Sequence, residues 1–156
     1  MDLIQPWDGT PFGGAKIVLH HRDGLLTHLR DDIPTIPWRN RWDLPGGGRE
    51  GDEDPLTCAL REAREEYGLT IPPTRVTWLR GYAPAQPGGL PTWFAAAPIS
   101  EAERAAVRFG DEGQRWDWMP FATFLAHPQA IPHLQDRLRD WLAATAPHFL
   151  AAVTGG

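Results

Sequence analysis

The chain has 156 residues, 42% hydrophobic and 22% charged, which allows one domain with a real core, excludes two ordinary ones and excludes disorder as the main state. A formal net charge of −5 opposes binding of long nucleic acid, which needs a basic face. No run of about 18 apolar residues is present to span a membrane.

Met1–Pro6 has no basic region followed by an apolar stretch, so no export signal is expected. The lone Cys58 has no disulfide partner within the chain and suits a reducing compartment. Together these favour the cytoplasm. The 16 glycines and 16 prolines are scattered, which predicts many turns.

Residues 1–13 carry Pro6, Gly9, Pro11 and Gly13 and are expected to form an irregular arm of a single domain spanning residues 1–156. Ala15–His21 and Leu25–Arg30 flank the turn signal Arg22-Asp23-Gly24 and predict a hairpin. Pro34 and Pro37 make residues 31–41 a loop, and Trp42-Asp43-Leu44 reads as a short strand stopped by Pro45 and three glycines. A helix then opens with Asp54 as N-cap and Pro55 in its first turn, and closes at Gly68. Arg75–Tyr82 and Thr92–Ile99 are predicted strands around a Pro/Gly-rich connection. Ser100 and Glu103 form a capping box for a helix over Glu101–Arg108. Residues 110–113 are a loop, Arg115–Met119 a strand, and Pro120–Ala126 a helical turn or two. Leu134, Leu138, Trp141 and Leu142 follow helical spacing and mark the last regular element. The expected class is α/β or α+β, a mixed sheet flanked by helices.

The helix at 55–67 carries the chemistry. On a wheel, Leu56, Ala59, Leu60, Ala63 and Tyr67 share a core-facing arc, while Glu62, Glu65 and Glu66 share another. Glu62 repels Glu65 and Glu66 across one turn, and the last two sit at the negative end of the helix dipole. Between Arg49 and Glu66 lie seven acids and three arginines, so −4 of the net charge falls in 18 residues. A solvated acidic face is the plain explanation. A bound divalent cation is the other, because it turns three mutually repelling carboxylates into ligands. Gly46-Gly47-Gly48 lies just upstream, where backbone can approach a phosphate closely, and Glu53 stands before the cap within reach of Arg61.

Written out, Gly47, five residues, Glu53, seven residues, then Arg61-Glu62-Ala63-Arg64-Glu65-Glu66-Tyr67-Gly68-Leu69 resembles the Nudix box, the signature of the Nudix hydrolase family. Seven fixed matches arise by chance on the order of 10⁻⁷ times in a chain of this length. Ala63 departs slightly from the family, which usually has a larger aliphatic residue there. The order of the remaining elements resembles the Nudix fold, an α/β/α sandwich with a mixed sheet and a loop–helix–loop motif. Asp111-Glu112-Gly113-Gln114 resembles the later loop in which several members place a further catalytic glutamate.

The resemblance implies hydrolysis of a nucleoside diphosphate joined to another group. It implies Mg²⁺, with Mn²⁺ as a substitute, held by Glu62, Glu65, Glu66 and Glu112. Glu62 or Glu112 would take the proton of the attacking water, and Arg61 would orient Glu53. Gly47 and Gly48 would meet phosphate, while Trp38 and Arg39 are candidates for stacking a base and pairing with phosphate. Cys58 reads as a small packed residue, since a thiolate suits zinc better than a hard oxygen site. The substrate signals lie outside the box and are mixed. Pro84 and Tyr82 match neither the ADP-ribose nor the dinucleoside-polyphosphate members cleanly, and the short chain with its Glu112-Gly113-Gln114 stretch sits closer to the nucleoside-triphosphate members. ADP-ribose or a nucleotide sugar is the alternative, and a non-catalytic nucleotide-binding module is the alternative of another class. The tryptophan-rich surface leaves monomer and homodimer both open.

Overall fold

A computed structural model describes residues 3–154. Strand β1 (Gly14–His21) is central, and its Ile17-Val18-Leu19 run is fully buried on both faces. It runs parallel to β6 (Thr92–Pro98), which pairs on its other side with antiparallel β5 (Trp78–Tyr82). Side chains alternate across this sheet. Val18, Phe94, Ala96 and Trp78 face one core, and Ile17, Leu19, Ala95 and Leu79 face the other.

The second edge of β1 is divided. Its N-terminal half, Gly14–Lys16, pairs with β4 (Gly46–Gly48), whereas its C-terminal end meets β2 (Gly24–Leu29) only at His20 and His21. The strand β2 then veers away to pair along its length with β7 (Arg115–Pro120) and, near its end, with β3 (Trp42–Asp43). The order β3-β2-β1-β6-β5, with β4 on β1 and β7 on β2, therefore leaves a split between β1 and β2. A cavity opens there. The expected mixed sheet is present, but the glycines after Pro45 form a strand instead of ending one. Gly46 has φ of 137°, and a Cβ there would lie 2.1 Å from the Ala15 carbonyl oxygen, so only glycine lets the backbones approach this closely.

Helix α1 (Pro55–Tyr67) covers one face of the sheet. The Asp54 side chain accepts from Thr57 N–H, Pro55 stands in the first turn, and Gly68 closes the helix at φ 70°. The small residues Cys58, Ala59 and Ala63 are fully buried, whereas Leu56 and Leu60 are only partly so. Helices α3 (Phe121–Ala126) and α4 (Pro132–Thr145) close the other face.

Four expectations change. The N-terminal arm is not wholly irregular: Ile4 bridges Leu79, adding a short pairing at the β5 edge. Pro73–Arg75 is a single 3₁₀ turn, so β5 begins at Trp78 and not at Arg75. Helix α2 (Glu101–Ala105) has the predicted capping box but stops short of Arg108. The cause is tertiary. Arg108 N–H and Gly110 N–H donate to the Tyr67 and Glu66 carbonyls, capping the last turn of α1. Finally, a helix α5 (Pro147–Thr154) follows α4, with Phe149 and Leu150 packed on the α3/α4 core.

At the far end of β1, His20 lies against Trp141, ring centroids 4.7 Å apart, and its Nε2 is buried without a partner. Burial, aided by His21, lowers its pKa from 6.5 to about 4. The unfolded chain therefore takes up this proton as pH falls below about 6.5, whereas the folded chain resists until about 4. Stability is expected to drop across that window by at most about 3 kcal/mol from this group. Denaturant titrations of wild type and His20→Phe at pH 7 and pH 4.5 check it: the variant should lose less stability between the two.

Candidate active site

Two glutamates of α1, Glu62 and Glu66, face the split in the sheet, and Glu65 lies beside them. Glu62 and Glu66 line a cavity of about 410 Å³ with Lys16, His28, Arg30 and Glu112. Glu50, Glu62, Glu65, Glu66, Asp111 and Glu112 line a second, acidic hollow of about 370 Å³ beside it. The loop bearing Glu112 is brought over α1 by the same Gly110 contact that caps the helix, and is tied down at its far side. Gln114 N–H donates to the Leu29 carbonyl, the Gln114 amide donates to the Arg30 carbonyl and Asn40 Oδ1, and Gly113 N–H donates to Asp31.

Arg61 is the hub. Its Nε and Nη2 donate to the two Glu53 oxygens at 2.7 and 3.1 Å, a bidentate pair. Its Nη1 donates to Glu62 and Glu65 at 2.9 and 3.1 Å, and Nη2 also donates to the Gly48 carbonyl at 2.8 Å. Glu53 further accepts the Glu50 N–H. The Arg61 guanidinium, followed by these hydrogen bonds, holds the Glu53 carboxyl below its usual range.

Glu66 sits deepest, its side chain 14% exposed. One oxygen accepts Gly46 N–H at 2.7 Å, and the other lies 3.8 Å from His28 Nε2. Burial pushes its pKa up to about 8. His28 is itself kept neutral by burial, its pKa lowered to about 4, and its Nδ1 meets the Tyr67 hydroxyl at 2.5 Å. Glu65 is more exposed and reaches only Arg61 among the hydrogen bonds described.

Gly47 is also constrained by the helix. Its Cα faces Glu62, and a Cβ there would lie 2.8–2.9 Å from the carboxyl group. Its carbonyl accepts the Cys58 thiol at 3.6 Å. Cys58 is fully buried, its thiol pushed up to about 11 by desolvation, which makes it a packing residue. Gly47→Ala is expected to displace Glu62 and lower turnover by about 10–100-fold, the scale seen for groups that orient a metal's ligands, with the melting temperature little changed. Kinetics paired with a thermal melt check this.

Gly47 and Gly48 line the larger cavity, whereas Trp38 and Arg39 do not. Trp38 packs partly buried on the α3/α4 core and beside His133, 5.7 Å between rings, and Arg39 pairs with Asp32. The residues that do join the box at the cavity, Lys16, His28 and Arg30, come from β1, β2 and the loop after it. They lie outside the motif. Their only sequence signal is polar residues within otherwise apolar strands.

Among the described residues, no three carboxylate, imidazole or thiolate side chains converge as a finished metal cage. Glu62 and Glu65 both bond Arg61 Nη1. The donor chemistry nevertheless suits a hard divalent cation. The candidate donors are carboxylate oxygens, and Glu66 is buried without a full counter-charge.

A NUDIX domain model matches residues 11–142. The m7GpppN-mRNA hydrolase NUDT17 of Bos taurus is 34% identical over 88 residues, 51% of this chain and 28% of that protein. The RNA pyrophosphohydrolase of Acidiphilium cryptum is 35% identical over 77 residues, 49% of this chain and 40% of that protein. These relatives are thus matched over less than half their length. A MutT protein of Methanosarcina mazei Go1 superposes with a TM-score of 0.65 at 16% identity, covering 88% of this chain and 97% of that one, and shares the fold. The domain match spans most of the chain, and the acidic helix, its glycine strand and its arginine hub lie within it: this protein belongs to the Nudix family.

Proposed function

We propose that this chain is a Mg²⁺-dependent pyrophosphohydrolase acting on nucleotides, with a nucleoside triphosphate as the preferred substrate class. The observation that carries it is the face formed by Glu62, Glu65 and Glu66 beside the cavity, with Arg61 bound bidentately to Glu53.

A divalent cation at this face would neutralise phosphate charge and lower the pKa of a bound water. Glu62, Glu65, Glu66 and Glu112 would hold it, Glu66 from the buried end and Glu112 from the tied loop. Arg61 keeps Glu53, Glu62 and the Gly48 carbonyl in register, so the helix and the glycine strand act as one rigid wall. Glu62 and Glu112, which both line the cavity, are the candidates to accept the proton of the attacking water. The cavity supplies room for the phosphates beside Gly47 and Gly48.

The names of the matched relatives favour a second reading, a 5′-phosphorylated RNA end as substrate. The net charge of −5 weighs toward the small nucleotide. A substrate panel of nucleoside triphosphates, ADP-ribose, a nucleotide sugar, a dinucleoside polyphosphate and a 5′-triphosphorylated oligoribonucleotide, with and without Mg²⁺, separates them. Metal-dependent turnover strongest on a free triphosphate supports the proposal; strongest turnover on the oligonucleotide supports the second reading. Turnover of no member above that of Glu65→Gln/Glu66→Gln protein would refute both.

A further inference from the structure

Lys16 is the one lysine in a chain with fourteen arginines, and it stands in the N-terminal half of the central strand. Its ammonium has three N–H donors. They face Asp43 Oδ2 at 3.0 Å, the Leu44 carbonyl at 3.4 Å and the Gly46 carbonyl at 3.3 Å. Asp43 is buried and also accepts from Arg30 Nη1 at 3.0 Å and Leu44 N–H at 2.7 Å. The scaffold thus occupies the ammonium, although the side chain lies at the cavity wall. The alkyl stem is equally engaged. A Cβ at Gly46 would lie 2.8 Å from Lys16 Cδ, so stem and strand are in close contact. Gly46 in turn donates its N–H to Glu66 at 2.7 Å.

We propose that Lys16 is a positioning residue, which clamps the Leu44–Gly46 corner so that Gly46 N–H holds the buried Glu66 carboxylate at the cation-binding face. The inference rests on the hydrolase reading above. Arginine does not substitute in this role. Its planar fork is wider than an ammonium and does not fit two carbonyls and a carboxylate gathered around one nitrogen. A chain that uses arginine at every other cationic position has lysine at this one.

The test is Mn²⁺ affinity, read by electron paramagnetic resonance of free Mn²⁺, on wild type, Lys16→Met, Lys16→Arg and Glu66→Gln, with steady-state kinetics alongside. Lys16→Met should weaken Mn²⁺ about tenfold and lower kcat by about 10–100-fold, with KM within about twofold. Lys16→Arg should not restore either value. In the Glu66→Gln background, adding Lys16→Met should weaken Mn²⁺ no further, because the carboxylate that Lys16 positions is already gone. Lys16→Met/Asp43→Asn removes the buried charge that would be left with Arg30 as its remaining cationic partner, and serves if the single variant fails to fold. A raised KM with unchanged Mn²⁺ affinity would overturn the proposal by placing Lys16 on substrate. A lowered melting temperature with Mn²⁺ affinity and kcat unchanged would overturn it as well. Wild-type protein that ignores Mn²⁺ would overturn the hydrolase reading and the role of Lys16 with it, whereas wild type and variants that bind equally would overturn the role of Lys16 alone.

Discussion

Glu66→Gln should lower kcat by about a thousandfold or more while leaving the protein folded, the scale of losing several kcal/mol of transition-state stabilisation at a metal-assisted centre. The expectation follows from where the carboxylate sits. It is buried between the Gly46 amide and His28, at the deep end of the acidic face. Glutamine keeps its length and its acceptor for Gly46 N–H but removes the charge. A buried carboxylate pushed up to about 8 gains little for stability by being ionisable, so the melting temperature should hold or rise slightly. Kinetics and a circular-dichroism melt on one preparation test both halves. Activity within a few fold of wild type would exclude Glu66 from the reacting centre.

Arg61→Lys is the second large effect, although it preserves charge. Arg61 makes five hydrogen bonds, to both Glu53 oxygens, to Glu62, to Glu65 and to the Gly48 carbonyl. Its side chain is 11% exposed, so the network is shielded from water. Lysine reaches one or two of these acceptors and leaves the others unmade, so the bidentate grip on Glu53 is lost. Turnover is expected to fall about 10–100-fold, with a stability loss of about 1–3 kcal/mol for the charged hydrogen bonds left unmade. Urea denaturation and kinetics measure the two separately. If Arg61 contacted substrate alone, KM would rise and the denaturation midpoint would stay.

The two variants separate what was legible beforehand from what was not. Helix α1 could be placed to the residue, because Asp54, Pro55 and Gly68 are local signals whose physics acts over one turn. Its acidic face could be seen too, since helical period alone puts Glu62, Glu65 and Glu66 together. The order of the elements predicted a mixed sheet flanked by helices, and the ladder of β1 and β6 with a core on each face bears that out. The length of α2 was not legible. Its capping box predicts a start, but its end was decided by α1, whose last carbonyls take the amides of Arg108 and Gly110. The strand at Gly46–Gly48 was missed for a similar reason. Three glycines have no β propensity, and they pair only because β1 presents an open half-edge.

Identity as a Nudix protein, the acidic face and the arginine that bonds it were written into one contiguous stretch, where spacing along a helix is geometry enough. The partners from β1, β2, the loop after it and β3, namely Lys16, His28, Arg30 and Asp43, became visible only once the sheet split around them. These residues lie at least 19 positions before Glu62 in the chain, and no local period relates them to it. Long-range pairing brought them together, through contacts that depend on the packed whole.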